Sequence, residues 1–250
     1  MLRVGQQLAG LPRAIGRCTH CLARDHMLRE LRHGDLLFAS HPPDAKQELN
    51  RAMRAVGEKT ISWLEEHGVH APGHEVAEHV GLVVADSMGC PRSVVEAVHV
   101  VGVRVQPVDA FLRAFSPGTR FFHGQLRGAT QVQRRHAVSF AVRRIGAPFA
   151  EDYAPPDPLC VEPWTQAFYC SSLVDYAYRE ALGESLVFSN EPFPLTWAPE
   201  RFWKLFHRQQ GLVCHVGFGS NPTLLLHSPR VTFAGLQNGD PPREEVHELF

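Results

Sequence analysis

Two β-prone stretches separated by a short turn constrain the fold of this chain most strongly. Residues 79–84, HVGLVV, and 92–108, RSVVEAVHVVGVRVQPV, are rich in valine, which favours extended backbone. Residues 85–91 between them contain aspartate, glycine and proline, which are typical of turns. We therefore predict that the two stretches pair as an antiparallel hairpin. Gly81 has no side chain, and we expect that this leaves room for a helix or a ligand.

A helix that begins at a cysteine is the second constraint. Within residues 168–183, FYCSSLVDYAYREALG, apolar side chains recur at helical spacing over 170–182, and Gly183 suits a C-cap. Cys170 lies on this apolar stripe in the first turn of the predicted helix. The positive end of the helix dipole stabilises a thiolate there, although a buried core cysteine is the alternative interpretation.

A thiolate nucleophile needs a base within hydrogen-bond reach, and His79 opens the first strand of the predicted hairpin. If the hairpin turns midway between Ser87 and Met88, His79 lies opposite Glu96 on the same face. Glu96 stands in the apolar run SVVEAV, where a carboxylate needs a partner such as an imidazole. A register shifted by three residues would instead place His99 opposite His79, and this alternative stays open.

Five short motifs, taken in order, carry a resemblance to a known superfamily. They are GDLLF (34–38), HVGLVV (79–84), VVEAV (94–98), GAPFAEDY (146–153) and YCSSLVDYAY (169–178). Together they resemble the papain-like NlpC/p60 superfamily in its circularly permuted YaeF/YiiX branch, in which the histidine strand precedes the cysteine helix. The resemblance implies an α+β, papain-like fold with an antiparallel sheet packed against the helix that carries the nucleophilic cysteine.

The same resemblance implies a cysteine-dependent hydrolase or acyltransferase. Carried over to this sequence, it makes Cys170 the nucleophile, His79 the base and Glu96 the group that orients the base. The substrate's acyl group would form a thioester on Cys170. The oxyanion would be held by the Cys170 backbone N–H and a second donor, for which Tyr169 and Tyr153 are candidates.

The substrate is not decided by the sequence. Relatives in this superfamily cleave peptide amides in bacterial cell walls, and others, like lecithin:retinol acyltransferase, move fatty acyl chains. We expect an amidase or endopeptidase that acts on peptide amides of the cell-wall type. A lipid-directed phospholipase or acyltransferase that uses the same site is the alternative, and the partner is accordingly a peptide- or lipid-containing substrate.

Two further alternatives are a catalytically inactive binding module, against which the intact Cys, His and Glu argue, and a metal-dependent hydrolase, which a histidine-rich segment suggests. Residues 67–79, HGVHAPGHEVAEH, contain six side chains that bind metals in other proteins: His67, His70, His74, Glu75, Glu78 and His79. Pro72 and Gly73 interrupt the segment, and it lacks the H-E-x-x-H helix pattern, so we expect no metal and no cofactor. The family often has a small polar residue before the histidine, where this chain has Glu78.

Composition limits the partners and the compartment. The formal net charge is -1, which argues against a nucleic-acid partner. The six cysteines are scattered, and only Cys18 and Cys21 form a C-x-x-C pair, which we interpret as free thiols. We find neither the apolar run of a signal peptide nor a transmembrane segment, so we expect a cytoplasmic protein. Export without a signal and transient contact with a membrane surface stay open.

The chain is expected to contain one catalytic domain, residues 33–228, with a helical insertion at 44–75. Residues 1–32 would be an N-terminal lead-in and residues 229–250 a C-terminal tail. Asp35, in GDLLF, is expected to form a turn rather than to act as a catalytic acid.

Overall fold

The computed structural model of this protein describes residues 29–43, 47–87, 89–156 and 166–235 of the 250-residue chain. The strands and helices are, in chain order, β1 (Leu36–Ser40), α1 (Glu48–Glu66), β2 (His79–Ala85), β3 (Pro91–Val98), β4 (Gly102–Pro107), α2 (Val108–Arg113), β5 (Arg120–Leu126), α3 (Gln131–Val142), α4 (Cys170–Leu182), β6 (Phe193–Pro194), α5 (Glu200–Gln209), β7 (Phe218–Gly219), α6 (Pro222–Leu226) and β8 (Val231–Gly235).

Six of these strands form one antiparallel sheet in the order β4-β3-β2-β1-β5-β8. The predicted hairpin is present as β2 and β3. The valine-rich stretch 92–108 divides into β3 and β4, which are joined by a turn at residues 99–101, with Val100 at a φ of +67°. The strand that begins with His79 therefore lies inside the sheet, between β1 and β3.

The register of the hairpin differs from the predicted one by two residues. Leu82 pairs with Val95, which sets Gly81, rather than His79, opposite Glu96. One residue of this shift is already present at the turn, where Ala85 pairs with Pro91 instead of Cys90, and an irregularity between Val84 and Ala85 adds the second. Because a shift of two residues preserves the face of each side chain, His79 and Glu96 become diagonal neighbours instead of direct ones. The register that would have placed His99 opposite His79 is not formed either.

The missing side chain of Gly81 makes room for the neighbouring strand. A Cβ atom at this position would lie 2.4 Å from Val94 Cγ1 and 3.3 Å from Glu96 Cβ. The expectation that this space serves a helix or a ligand is therefore wrong, because cross-strand side chains of β3 fill it.

One face of the sheet packs against α4, whose predicted bounds, 170–182, are confirmed. The apolar stripe of α4 includes Leu173, Val174 and Ala177. These side chains are fully buried in one cluster with alternate side chains of β1, β2 and β3. α3 packs beside α4 on the same face. The architecture is thus α+β, with an antiparallel sheet against the helix that begins at Cys170, as predicted.

The opposite face is covered by the short helix α2. Phe111 of this helix is fully buried against Leu37, Val83 and Val94, which come from three adjacent strands. The central strands are therefore buried on both faces, which explains why β1 is apolar at nearly every position rather than at alternate ones.

Asp35, immediately before β1, does more than form a turn. Its Oδ2 accepts a hydrogen bond from the Arg32 backbone N–H at 2.7 Å, which closes the turn. The same fully buried carboxylate also contacts His123 Nε2 at 2.6 Å and Arg134 Nη1 at 2.9 Å. It therefore joins β1 to β5 and α3.

The sheet extends past residue 228, where the sequence analysis placed the end of the domain. β8 (Val231–Gly235) pairs with β5 along its whole length. The expected insertion at 44–75 contains α1, which packs against α6. Cys18 and Cys21 lie outside the described residues, as does most of the expected lead-in. Within the described ranges, no helix combines the length and the apolar character that crossing a membrane requires.

Candidate active site

Cys170 is the first residue of α4. The preceding residue, Tyr169, is extended, with φ -100° and ψ 169°, so the helix dipole begins at the cysteine. The Cys170 side chain is buried but lines a cleft with a volume of about 270 Å³. A thiolate at this position faces the positive end of the helix.

His79 is the first residue of β2, and its ring lies between Cys170 and Glu96. Its Nε2 atom is 2.5 Å from Glu96 Oε2, and the Cys170 side chain lies close enough to the imidazole to raise its pKa. Since Nε2 is engaged by the carboxylate, Nδ1 is the nitrogen available to the sulfur. The ring is held on its sides by Phe111 and Phe115, with centroids 5.8 and 5.7 Å away.

Glu96, in the middle of β3, is almost completely buried, and three side chains satisfy its carboxylate. Besides His79, it accepts hydrogen bonds from Arg104 Nε at 2.9 Å and from Gln106 Nε2 at 2.5 Å, both to Oε1. The sequence analysis missed Arg104 and Gln106. Their alternate positions in GVRVQP, on the strand beside Glu96, are the signal that could have indicated them.

His79 and Glu96 shift each other's pKa values. Burial alone would lower the pKa of His79, but the hydrogen bonds and negative charges of Cys170 and Glu96 raise it to about 10. Burial alone would raise the pKa of Glu96, but His79 and Arg104 together lower it below the ordinary value. The arrangement thus favours an imidazolium at His79 beside a carboxylate at Glu96.

The two candidate oxyanion donors occupy different places. Tyr153 lines the same cleft as Cys170, and its pKa is raised, first by burial and then by the charge of Cys170. Tyr169 lines a separate cavity, where its hydroxyl accepts a hydrogen bond from the Ser220 backbone N–H at 3.1 Å. Of the two tyrosines, Tyr153 is therefore the one that the structure brings to the cleft.

Glu78 stands where the resembled family often has a small polar residue. It is buried beside the cleft, and a neighbouring cation balances its charge. Its carboxylate accepts a hydrogen bond from the His41 backbone N–H at 2.9 Å and lies 3.4 Å from Arg54 Nη2. Arg54 comes from α1, so the inserted helix supplies the cation that this glutamate requires.

The histidine-rich segment does not assemble into a metal site in the described part of the chain. Its side chains have separate partners: His74 contacts Glu65 at 2.9 Å, and Glu75 pairs with Arg120. No group of three or more His, Cys, Asp or Glu side chains that could hold a metal ion lies within the described residues. His99, the alternative orienting residue, lies 2.8 Å from Glu151.

Comparison with known proteins gives two matches. The sequence profile of a family described as permuted papain-like amidase enzymes, YaeF/YiiX, C92 family, matches residues 30–232. A crystal structure of the metalloprotein yiiX from Escherichia coli O157:H7 superposes with a TM-score of 0.57 at 18% sequence identity, covering 81% of this chain and 96% of that one. Comparison with curated proteins found no relative that matches this chain.

The profile spans most of the chain and includes both the strand of His79 and the helix of Cys170. The structural match has the same fold, at an identity too low to carry more than the fold. The chain therefore belongs to the YaeF/YiiX family of permuted papain-like cysteine amidases.

Proposed function

We propose that Cys170, His79 and Glu96 form the catalytic triad of an amidase that cleaves peptide amide bonds through a thioester. The observation that carries this proposal is the placement of Cys170, His79 and Glu96 around one cleft, with His79 hydrogen-bonded to Glu96 and its pKa raised by the neighbouring Cys170. A nucleophile, a base and a group that orients the base, each within hydrogen-bond distance of the next, are the components that acyl transfer needs.

In the proposed mechanism the reaction starts from the ion pair in which the proton of the Cys170 thiol has already moved to His79 Nδ1. The thiolate attacks the amide carbonyl carbon, and the electron pair of the C=O bond moves to the oxygen. The Cys170 backbone N–H and the Tyr153 hydroxyl stabilise this oxyanion. His79 then returns the proton to the leaving amine, the C–N bond breaks, and the acyl group remains on the sulfur as a thioester.

Hydrolysis of the thioester repeats these roles with water as the nucleophile. His79 takes a proton from water, the hydroxide attacks the thioester carbonyl, and Cys170 leaves as a thiolate. Glu96 keeps the imidazole ring in one orientation through both stages and stabilises its protonated form. The products are a carboxylic acid and an amine.

We propose a peptide of the cell-wall type as the substrate, since the family profile describes amidases. A fatty acyl ester is the second candidate. Part of the lining of the cleft is apolar, with side chains that include Leu49, Met53, Phe115 and Phe149. Such a lining suits either an aliphatic side chain of a peptide or an acyl chain.

The reactivity of Cys170 towards iodoacetamide near pH 6 tests the proposed nucleophile. We expect Cys170 to be alkylated far faster than the other cysteines, because it lies at the first position of α4 and beside the imidazole of His79. Cys214 is an internal control: its Sγ also lies 3.0 Å from a histidine, His207, but burial raises the pKa of this thiol. Peptide mapping measures the labelling of each cysteine, and equal labelling of Cys170 and Cys214 would contradict the proposal.

The pH dependence of turnover tests the role of Glu96. With its pKa raised to about 10, His79 stays protonated through neutral pH, and we expect activity to fall as the pH rises through about 10. Glu96→Gln removes a charge that favours the imidazolium, so the alkaline limb should move to lower pH and kcat should fall by about 10- to 100-fold. Wild-type turnover with an unmoved limb would show that a group other than Glu96 orients the base.

A further inference from the structure

Arg104 has hydrogen-bonding capacity that the proposed triad does not use. Its Nε atom donates to Glu96 Oε1 at 2.9 Å. The two terminal nitrogens, Nη1 and Nη2, have no hydrogen-bond partner among the described residues. The side chain is 35% exposed and lines the same cleft as Cys170 and His79. The forked end of the guanidinium is therefore available to a ligand in this cleft.

The negative charges around the cleft are already compensated. Glu96 is bonded to His79 and Gln106 as well as to Arg104, so that both its oxygens are engaged. Glu78 is paired with Arg54. An anion that approaches the free end of Arg104 is therefore not repelled by an unpaired carboxylate, and the guanidinium fork matches the geometry of a carboxylate.

We propose that Arg104 binds a carboxylate group of the substrate close to the scissile amide, so that the preferred substrate is an acidic peptide. This inference rests on the proposed amidase function and names the substrate class of that same site. Arg104 is bonded to Glu96 and lines the cleft into which Cys170 and His79 open, so a carboxylate on its free end lies in the same cleft as the reacting carbonyl. Arg104 thus joins substrate binding to the positioning of Glu96.

Gln106 provides a matched control for the positioning role. It donates to the same Glu96 oxygen as Arg104, at 2.5 Å, and lines the same cleft, but it carries no charge. Loss of either side chain weakens the support of Glu96. Only the loss of Arg104 removes a cation that distinguishes an acidic substrate from a neutral one.

The experiment measures binding separately from catalysis, in protein that carries Cys170→Ala. The probes are four blocked tetrapeptides, with Glu or Gln at either of the two positions that flank the central amide bond. We expect one Glu peptide to bind more tightly than its Gln counterpart. Arg104→Gln should weaken binding of that peptide by roughly 10- to 100-fold, the effect of a charge-assisted hydrogen bond, and should leave the Gln peptide almost unchanged. Gln106→Ala should preserve the ratio of the two dissociation constants.

Arg104→Lys keeps the charge but not the fork, and we expect it to retain part of the preference. Equal binding of Glu and Gln peptides to the Cys170→Ala protein, or failure of all four to bind, would overturn the inference. A preference that survives in Arg104→Gln would overturn it as well. The proposed function is tested independently, by the thioester on Cys170 in protein with Arg104 intact.

Discussion

Replacement of His79 by alanine is expected to lower kcat for amide hydrolysis by about 10²- to 10⁴-fold, the usual contribution of a general acid–base catalyst. In the proposed mechanism, His79 removes the thiol proton, donates a proton to the leaving amine and activates water. The side chain lies at the end of a strand that is anchored by its buried neighbours, so the fold should persist. Steady-state kinetics, together with circular dichroism of the folded protein, measure both effects.

His74→Ala is the matched histidine control for this variant. His74 lies only five residues away in the sequence, but its exposed ring contacts Glu65 rather than Cys170. We expect near-wild-type kcat from His74→Ala. The His79→Ala protein should also lose the selective alkylation of Cys170. Retention of full activity by His79→Ala would show that a different base serves the cysteine.

Replacement of Asp35 by alanine is expected to lower the free energy of unfolding by about 3–5 kcal/mol, the cost of removing one partner from a buried ion pair. The variant leaves Arg134 and His123 without the carboxylate that both of them contact. It also releases the turn that Asp35 closes with Arg32. Urea denaturation followed by tryptophan fluorescence measures the loss.

Glu200→Ala is the control for the loss of a carboxylate at the surface. Glu200 pairs with Lys204 on α5, and both side chains are 69% exposed. Exposed pairs of this kind contribute little, so the unfolding midpoint should hardly move. If Asp35→Ala proved as stable as Glu200→Ala, the interpretation of Asp35 as the junction of β1, β5 and α3 would be wrong.

The features that could be predicted from the sequence are those set by local patterns. The apolar stripe after Cys170 defines a helix whose bounds the structure reproduces, because 3.6-residue periodicity and a terminal glycine act within a few turns. The valine-rich run in the strand of His79 identifies the strand, and the two-residue period of an extended chain gives the face of each side chain. The contact between His79 and Glu96 follows from the pairing of the two strands, even though the register was predicted two residues away.

The features that were missed depend on contacts between distant residues. The register depends on an irregularity at the end of β2, which has no marker in the residue types. Asp35 finds His123 and Arg134 about 90 to 100 residues further along the chain, and no local pattern relates these positions. Likewise, Arg54 of the inserted helix α1 pairs with Glu78. The sequence alone does not reveal that this helix carries the cation that the buried glutamate requires.

The central claim, a covalent acyl-enzyme on Cys170, is tested most directly by trapping that intermediate. The protein is incubated separately with cell-wall peptides and with phospholipids, quenched in acid, in which thioesters survive, and digested for mass spectrometry. We predict an added peptidyl mass on the Cys170 peptide and none on the Cys214 peptide. A fatty acyl mass on Cys170 would keep the mechanism but make the enzyme a lipase or transacylase. No adduct from either class, together with a measured activity that a chelator abolishes, would contradict the cysteine mechanism itself.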